Sequence, residues 1–596
     1  MPAGGNAHPA GILRQRAFAL MQRLDSALVR YQDRDLSSPD YGGIRCPGCG
    51  LYHTRSAEAV WPLSYEYALT GDGERLRQAI DLAGWLIARQ REDGAWEETP
   101  ETWTGTTTDQ LLMLLLSYPI VKKSLTARQR RSWLRSMERA ADYLTGFIDN
   151  RHASMNYCCT TAATLAEAWL RLGKPVYRLK ARCLAAMAVA KMDAEGFPVG
   201  EGERIGEYRY GVDIGYNLEM SLWGLARYAS LLGDEPVLDA VRKSASTHLM
   251  FLYPDGMLDA SAGTRSNKWT VYGSGTSDGC HPLFALLSEG HPEYISAAVR
   301  NMDCIGTCFT ECGLLGLGPD YDAIMDTPPC IYPTFTKAKS MAMAHCWVTG
   351  DTDTLAGLPL DRDTLARSRS LNLAVVRRGP FCATVTAYGY KSGLGTASKN
   401  MFRPTGGAMS VLWAEGYGLV QASSQTEYHR WEPMSFPEMG ELEPLTPRLE
   451  QVREDTLFTN LFEFDATFDT FEEECRTVCA SSGLLRSRDQ IPCGTLYSMR
   501  YSFGGETLTK TYFSSGDACV RIVEPVVMDD GTVLEQRDGF SVVLRRRGVA
   551  LELRSSVPLE VSGPVCRQVY PALRALPLIM NLSPGEEVTL VYRLLK

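Results

Sequence analysis

Residues 264–281, TRSNKWTVYGSGTSDGCH, bring Arg265, Lys268, Trp269, Tyr272, Asp278 and His281 together with three glycines. The stretch is too polar and too rich in turn formers to be core. Cations hold a carboxylate through charge-assisted hydrogen bonds and aromatic faces stack on sugar rings, so the chemistry it suits is recognition of an anionic sugar. The alternative is an ordinary helix-connecting loop whose charges are solvated.

A second stretch, residues 199–219, holds Glu201, Glu203, Glu207, Asp213 and Glu219 beside Arg204, Arg209, Tyr208, Tyr210 and Tyr216. Carboxylates set among aromatics are where a raised pKa and general-acid function arise, and a second carboxylate can serve as base or nucleophile. Spacing does not show which two face each other, and for any single one a solvated or ion-paired role competes. Three further polar, aromatic loops, at residues 44–55, 97–110 and 151–161, complete five candidates for the rim of one cleft.

Cys46, Cys49 and His53 form a CxxC followed by a histidine. One such knuckle without a second ligand pair falls short of a zinc site, so no metal is expected. The chain carries no GxGxxG or Walker pattern, and no cofactor is expected either.

These loops need helices to position them. Leucine- and alanine-rich segments of helical period dominate to about residue 365, among them Ala127 to Phe147, Thr160 to Leu172 and Asn217 to Leu232. DGAW, EGFP, DGML and ECGLL, starting at Asp93, Glu195, Asp255 and Glu311, close helices in a similar way. A repeating helical hairpin cannot bury its apolar face alone, so the hairpins must stack. About six or seven of them, closed into an (α/α) toroid, fit residues 1–365. Residues 366–596 switch to short alternating runs such as LNLAVVRR, CATVTAYGYK and EVTLVYRLL between turn signals, the pattern of an antiparallel β-sandwich. An open helical scaffold for protein partners is the competing architecture.

The 596 residues carry a net charge of -9, with no long basic run, which disfavours a nucleic-acid partner. No uninterrupted apolar window spans a bilayer, and no membrane association is expected. The odd count of 17 cysteines suits reduced thiols and a cytoplasmic location. The large surfaces of such a fold are compatible with a homo-oligomer, though no feature selects a symmetry.

The runs SMNYCCTTAATLAEAWLRLG, GVDIGYNLEMSLWGLARYA and YPDGMLDASAGTRSNKWTVYGSGTSDGC, with PTGGAMSVLWAEGYGLVQASSQTEY further on, resemble the heparinase II/III-like toroid enzymes. Within that group the resemblance is closest to the uronidases of glycoside hydrolase family 154. It implies an (α/α) toroid followed by a β-sandwich, acting on glucuronic-acid-containing oligosaccharides. On the hydrolase reading, which is preferred, the enzyme releases a terminal β-linked glucuronic acid. Asp213, Glu207 and Asp278 are then the catalytic carboxylates, and Arg265 and Lys268 pair with the uronate. Trp269, Tyr216 and Trp103 stack on sugar faces, while Asn156 and His281 hydrogen-bond hydroxyls or the carboxylate. On the lyase alternative, the family's pattern implies an Asn-His pair opening a helix, a tyrosine some fifty to sixty residues later and a downstream histidine. Here the pair is Asn156-Tyr157, the tyrosine Tyr210 or Tyr216, and the histidine His281 or His345. The missing histidine beside Asn156 counts against the lyase. A non-catalytic glycan-binding protein is the third reading.

Overall fold

The computed structural model describes residues 11–266, 271–272, 279–428, 443–529, 531–561, 566–568 and 572–595. Its first part is helical, in two layers. The inner helices are Val60–Thr70, Thr107–Val121, Met155–Leu172, Leu222–Leu232, His281–Leu286 and Tyr332–Trp347; each packs on the next in that order, and the last packs back on the first. A helix lies outside each of them: Gly73–Ala88, Ala127–Phe147, Pro175–Ala190, Glu235–His248, Pro292–Ile305 and, against Tyr332–Trp347, the first helix Ile12–Leu28.

Sequence pattern decides the layer. Ala127–Phe147 buries Trp133, Met137, Ala140, Ala141 and Leu144, a single stripe at helical spacing, and turns charged residues to solvent. In Thr107–Val121, by contrast, every residue from Thr107 to Ser117 is buried, as an element covered on all sides requires. The repeated turns have a common cause. Gly94, Gly196, Gly256 and Gly313 all take positive φ, and a Cβ on Gly94 or Gly256 would meet the carbonyl oxygen of Arg139 or Arg300 at 2.3 and 2.0 Å. Only glycine meets both demands.

The helical part ends at Trp347, and the β part begins with the strand Thr364–Ser368. Five antiparallel strands, Thr364–Ser368, Leu373–Arg378, Phe381–Thr386, Ala408–Ala414 and Gly418–Gln421, form one sheet in chain order; a second, 14-stranded antiparallel sheet follows. The small sheet is the middle layer. Leu373, Val375 and Cys382 belong to the core of the helical domain, whereas Ala374, Val376 and Ala383 share a core with Phe468, Tyr501 and Tyr592 of the large sheet. Strands covered on both faces lose alternation, and this is why Leu373 to Arg377 and Phe381 to Thr386 are buried without a break.

Polar contacts lock the two parts together. Tyr253 Oη and Thr384 Oγ1 are 2.9 Å apart, and Trp413 Nε1 donates to Asp255 Oδ2 at 3.0 Å. The hairpin of strands Glu201–Ile205 and Tyr208–Gly211 is braced from the β part: Tyr390 Oη donates to Glu203 O at 2.8 Å and Ser392 Oγ to Glu203 Oε2 at 2.5 Å. No helix among the described residues is long and apolar enough to cross a membrane.

Candidate active site

A cavity of about 190 Å³ opens where the loops of the helical part converge on that hairpin. All five loop regions contribute to it. Arg55 comes from the first, Glu98, Glu101 and Trp103 from the second, Ser154, Asn156 and Tyr157 from the third, Arg209 and Tyr216 from the fourth, and Arg265 from the fifth; Met220 completes the lining.

Asn156 stands in the first turn of Met155–Leu172, and its amide is oriented by its neighbours. Oδ1 accepts from Ser154 Oγ at 2.6 Å and from the Tyr157 backbone N–H at 2.9 Å. A backbone N–H can only donate, so Oδ1 is the oxygen and Nδ2 is left with a 3.5 Å contact to Met220 Sδ. The amide therefore offers N–H donors to an anion in the cavity.

Tyr216 is set by a short helical turn, Ile214–Tyr216, running into a π-helical turn, Asn217–Ser221. Such turns recur at functional sites because they shift the facing of side chains along a helix. Here the shift lets Tyr216 and Met220 pack together with Leu317 and Tyr321. The Arg265 guanidinium lies 5.0 Å from the centroid of the Tyr216 ring. Tyr157 meets Trp103 edge to face at 5.6 Å, and burial, followed by the charge of Glu98, pushes its phenol well above the usual range.

Behind the cavity lies a buried charge network. Arg55 is 2.5 Å from Glu58, 3.9 Å from Glu98 and 3.9 Å from Asp109, and Lys339 is 2.5 Å from Glu58 and 3.3 Å from Asp109. Burial works against the Arg55 charge, but the carboxylates more than offset it and raise its pKa. Tyr332 Oη donates to Glu98 Oε1 at 2.6 Å. Pairs of this kind contribute little net stability but hold charges in one place, and losing one partner strands the other.

Of the carboxylates expected to do the chemistry, Asp213 and Glu207 are described, and neither lines the cavity. Asp213 is buried; Oδ1 accepts from the Tyr216 N–H at 2.9 Å and Oδ2 from the Arg265 N–H at 2.5 Å. It anchors two cavity residues by their backbones and does not line the cavity. Glu201 caps the Met155–Leu172 helix, its Oε1 accepting the Asn156 N–H at 2.9 Å, with Arg265 Nη1 at 3.7 Å from Oε2. Glu207 is exposed on the turn of the hairpin. Burial pushes Glu201 up to about 7 and Asp213 up to about 6. Asp278, Lys268 and Trp269 lie outside the described residues.

Among the remaining expected residues, Asn156, Tyr216, Trp103 and Arg265 meet in the cavity. His281 does not line it. Its Nδ1 is 3.0 Å from Ser340 Oγ, and burial, reinforced by Lys337, lowers its pKa to about 3. His345 is hydrogen-bonded to Tyr65 Oη at 2.9 Å and packs near Phe18, between helix layers. Tyr210 is exposed on the hairpin. Sequence pattern does not mark Arg55, Glu98, Tyr332 and Lys339 as site residues. The one signal is Lys337 and Lys339 inside the otherwise apolar run FTKAKSMAMA, where a cation needs a buried partner.

The ulvan lyase N-terminal domain family matches residues 21–353, and the ulvan lyase C-terminal domain family matches residues 367–593. The chain belongs to the ulvan lyase family. A broad-specificity ulvan lyase of Formosa agariphila is 28% identical over 564 residues, covering 90% of this chain and 87% of that protein. Among solved structures, heparinase III is similar over 100% of this chain and 87% of its own, with a TM-score of 0.57 at 12% identity. A Streptomyces coelicolor A3 chondroitin AC lyase in complex with chondroitin sulphate matches 99% of this chain and 81% of its own, with a TM-score of 0.54 at 15% identity. At such identities these two likenesses establish the fold: a helical domain followed by an antiparallel β domain of the heparinase type. Membership of the ulvan lyase family overturns the hydrolase reading. The protein is an enzyme of a polysaccharide lyase family, and the β-glucuronidase assignment falls with it. Both oxygens of Asp213 accept backbone N–H groups, from Tyr216 and Arg265.

The raised carboxylates still have a consequence for stability. Glu201 has a folded-state pKa above its ordinary value of about 4.5, so the folded chain holds the proton more tightly than the unfolded one. The stability this contributes is fully present below the unfolded pKa and is lost as pH rises through about 7. Glu201→Gln keeps an oxygen for the Asn156 N–H and removes the titration. Between pH 4.5 and pH 8, its stability relative to the parent should therefore improve by about 3 kcal/mol, read from denaturant unfolding at both pH values. A difference that does not change with pH would show that Glu201 has the same pKa in the folded and the unfolded chain.

Proposed function

We propose that the protein cleaves a uronate-containing polysaccharide by β-elimination, in a cleft framed by a closed (α/α) ring of six helical hairpins and bordered by the β domain. The oriented Asn156 amide carries this reading. Removing the C5 proton of a uronate places negative charge on its carboxylate, and a fixed N–H donor aimed at that charge lowers the barrier. Arg265 and Arg209 supply cations in the same wall, and Tyr216 is the proton-transferring group. The C5–H bond breaks, C4=C5 forms, and the C4–O4 bond breaks with the proton delivered to the leaving oxygen. Trp103 offers an aromatic face to a sugar ring.

Ulvan is the substrate named for the family and for the Formosa agariphila protein, and it is the polymer to test. Incubation with ulvan should give new reducing ends together with the ultraviolet absorbance of the unsaturated uronate. Reducing ends without absorbance would mean hydrolysis and would sink the proposal. Neither signal, on ulvan or on other uronate polysaccharides, would leave a glycan-binding protein in its place.

A further inference from the structure

We propose that Cys46, Cys49, His53 and Cys330 form a structural zinc site beside the cavity, independent of the reaction assigned above. The CxxC knuckle lacks a closing ligand in the sequence, and the fold brings one from 284 residues away. Cys46 Sγ and Cys330 Sγ are 3.8 Å apart, the edge expected for a tetrahedron with zinc–sulfur bonds of about 2.3 Å. One ligand atom each from Cys46, His53 and Cys330 lies within 4.8 Å of the others, and all three residues are buried. Cys49 Sγ is 3.0 Å from His53 Nε2.

The surroundings suit a metal. His53 Nδ1 lies 2.7 Å from Thr99 O, so the N–H sits on Nδ1 and Nε2 keeps its lone pair toward the sulfurs. The Ile331 N–H points at Cys46 Sγ from 3.4 Å, the contact that stabilises a thiolate. The knuckle itself is closed by Gly50 N–H to Cys46 O and Cys46 N–H to Leu51 O, both at 2.8 Å. Gly48 admits the distant strand of chain: a Cβ there would meet Pro328 O at 2.8 Å and the Cys330 nitrogen at 3.1 Å.

The position gives the site a purpose. Arg55 follows His53 by two residues, Thr99 follows Glu98, and Tyr332, whose ring centroid is 5.1 Å from that of His53, holds Glu98 by its hydroxyl. A metal here clamps the three segments that deliver Arg55, Glu98 and Tyr332.

The test is the metal content of the purified full chain after exhaustive dialysis, measured by plasma mass spectrometry. One zinc per chain is expected, lost in Cys330→Ser and His53→Ala, kept in His53→Cys, and kept in the control Cys183→Ser, which alters an exposed thiol on the Pro175–Ala190 helix. Should the ligand variants fail to fold, the parent chain stripped with chelator and titrated with cobalt must show thiolate-to-cobalt charge transfer and tetrahedral ligand-field bands at one equivalent. Parent protein that neither retains zinc nor develops those bands would overturn the proposal.

Discussion

Tyr216→Phe is expected to lower kcat for ulvan cleavage by about 10²- to 10⁴-fold with little change in KM, the signature of a lost proton-transfer group. The substitution removes one oxygen. The ring keeps its packing on Met220, Leu317 and Tyr321 and its place beside Arg265, so the fold and the cavity outline should persist. Among the described residues two tyrosines line the cavity, and each lies near a different charge. Burial and then the negative charge of Glu98 disfavour the ionised form of Tyr157. Tyr216 has a guanidinium 5.0 Å from its ring centroid, a cation placed to stabilise the anionic charge the reaction creates. Steady-state rates from the ultraviolet assay on Tyr216→Phe and Tyr157→Phe decide the matter. A larger loss for Tyr157→Phe than for Tyr216→Phe would reverse the assignment.

Much of this site is legible in the sequence, and the part that is not has a physical reason. The loops stand out because Gly, Trp, Tyr and charged residues cluster where helical period breaks, at residues 97–110 or 199–219, and a helical hairpin repeat sends alternate loops to one end. The two-layer helical part follows from the same periodicity. What sequence cannot distinguish is a carboxylate that reacts from one that caps. Asp213 and Glu201 are bonded to backbone N–H groups of residues 3 and 45 positions away, and only the fold reveals that those partners are the frames of Tyr216 and Asn156. The wealth of acids in the 199–219 segment therefore suggests a two-carboxylate hydrolase, whereas Asp213 and Glu201 hold the backbones of Tyr216 and Asn156. The missing histidine beside Asn156 points the same wrong way, because Tyr157 fills that place without removing the amide from the cavity. Lys339 goes unread for a simpler reason: its partners Glu58 and Asp109 lie more than 200 residues away on other elements, and no local pattern announces them.

The amide itself is the most exacting test of the elimination. Asn156→Asp should cut kcat/KM by about 10²- to 10³-fold, the scale of losing one preorganised donor to a developing anion. The change is nearly isosteric. One side-chain oxygen still accepts from Ser154 Oγ and the Tyr157 N–H, so the other must occupy the place of Nδ2 and face the substrate. A donor thereby becomes an acceptor against a uronate carboxylate, and attraction becomes repulsion at the point where charge accumulates in the transition state. A folding defect would mimic this loss, because residue 156 is buried and its N–H is already bonded to the Glu201 carboxylate, so the rates of parent and variant are compared well below both melting temperatures. Asn156→Ala, which removes the donor without adding a charge, should fall between the two in rate. If Asn156→Asp cleaves ulvan as fast as the parent, the Asn156 amide does not meet the developing charge, and the elimination must be carried by other residues.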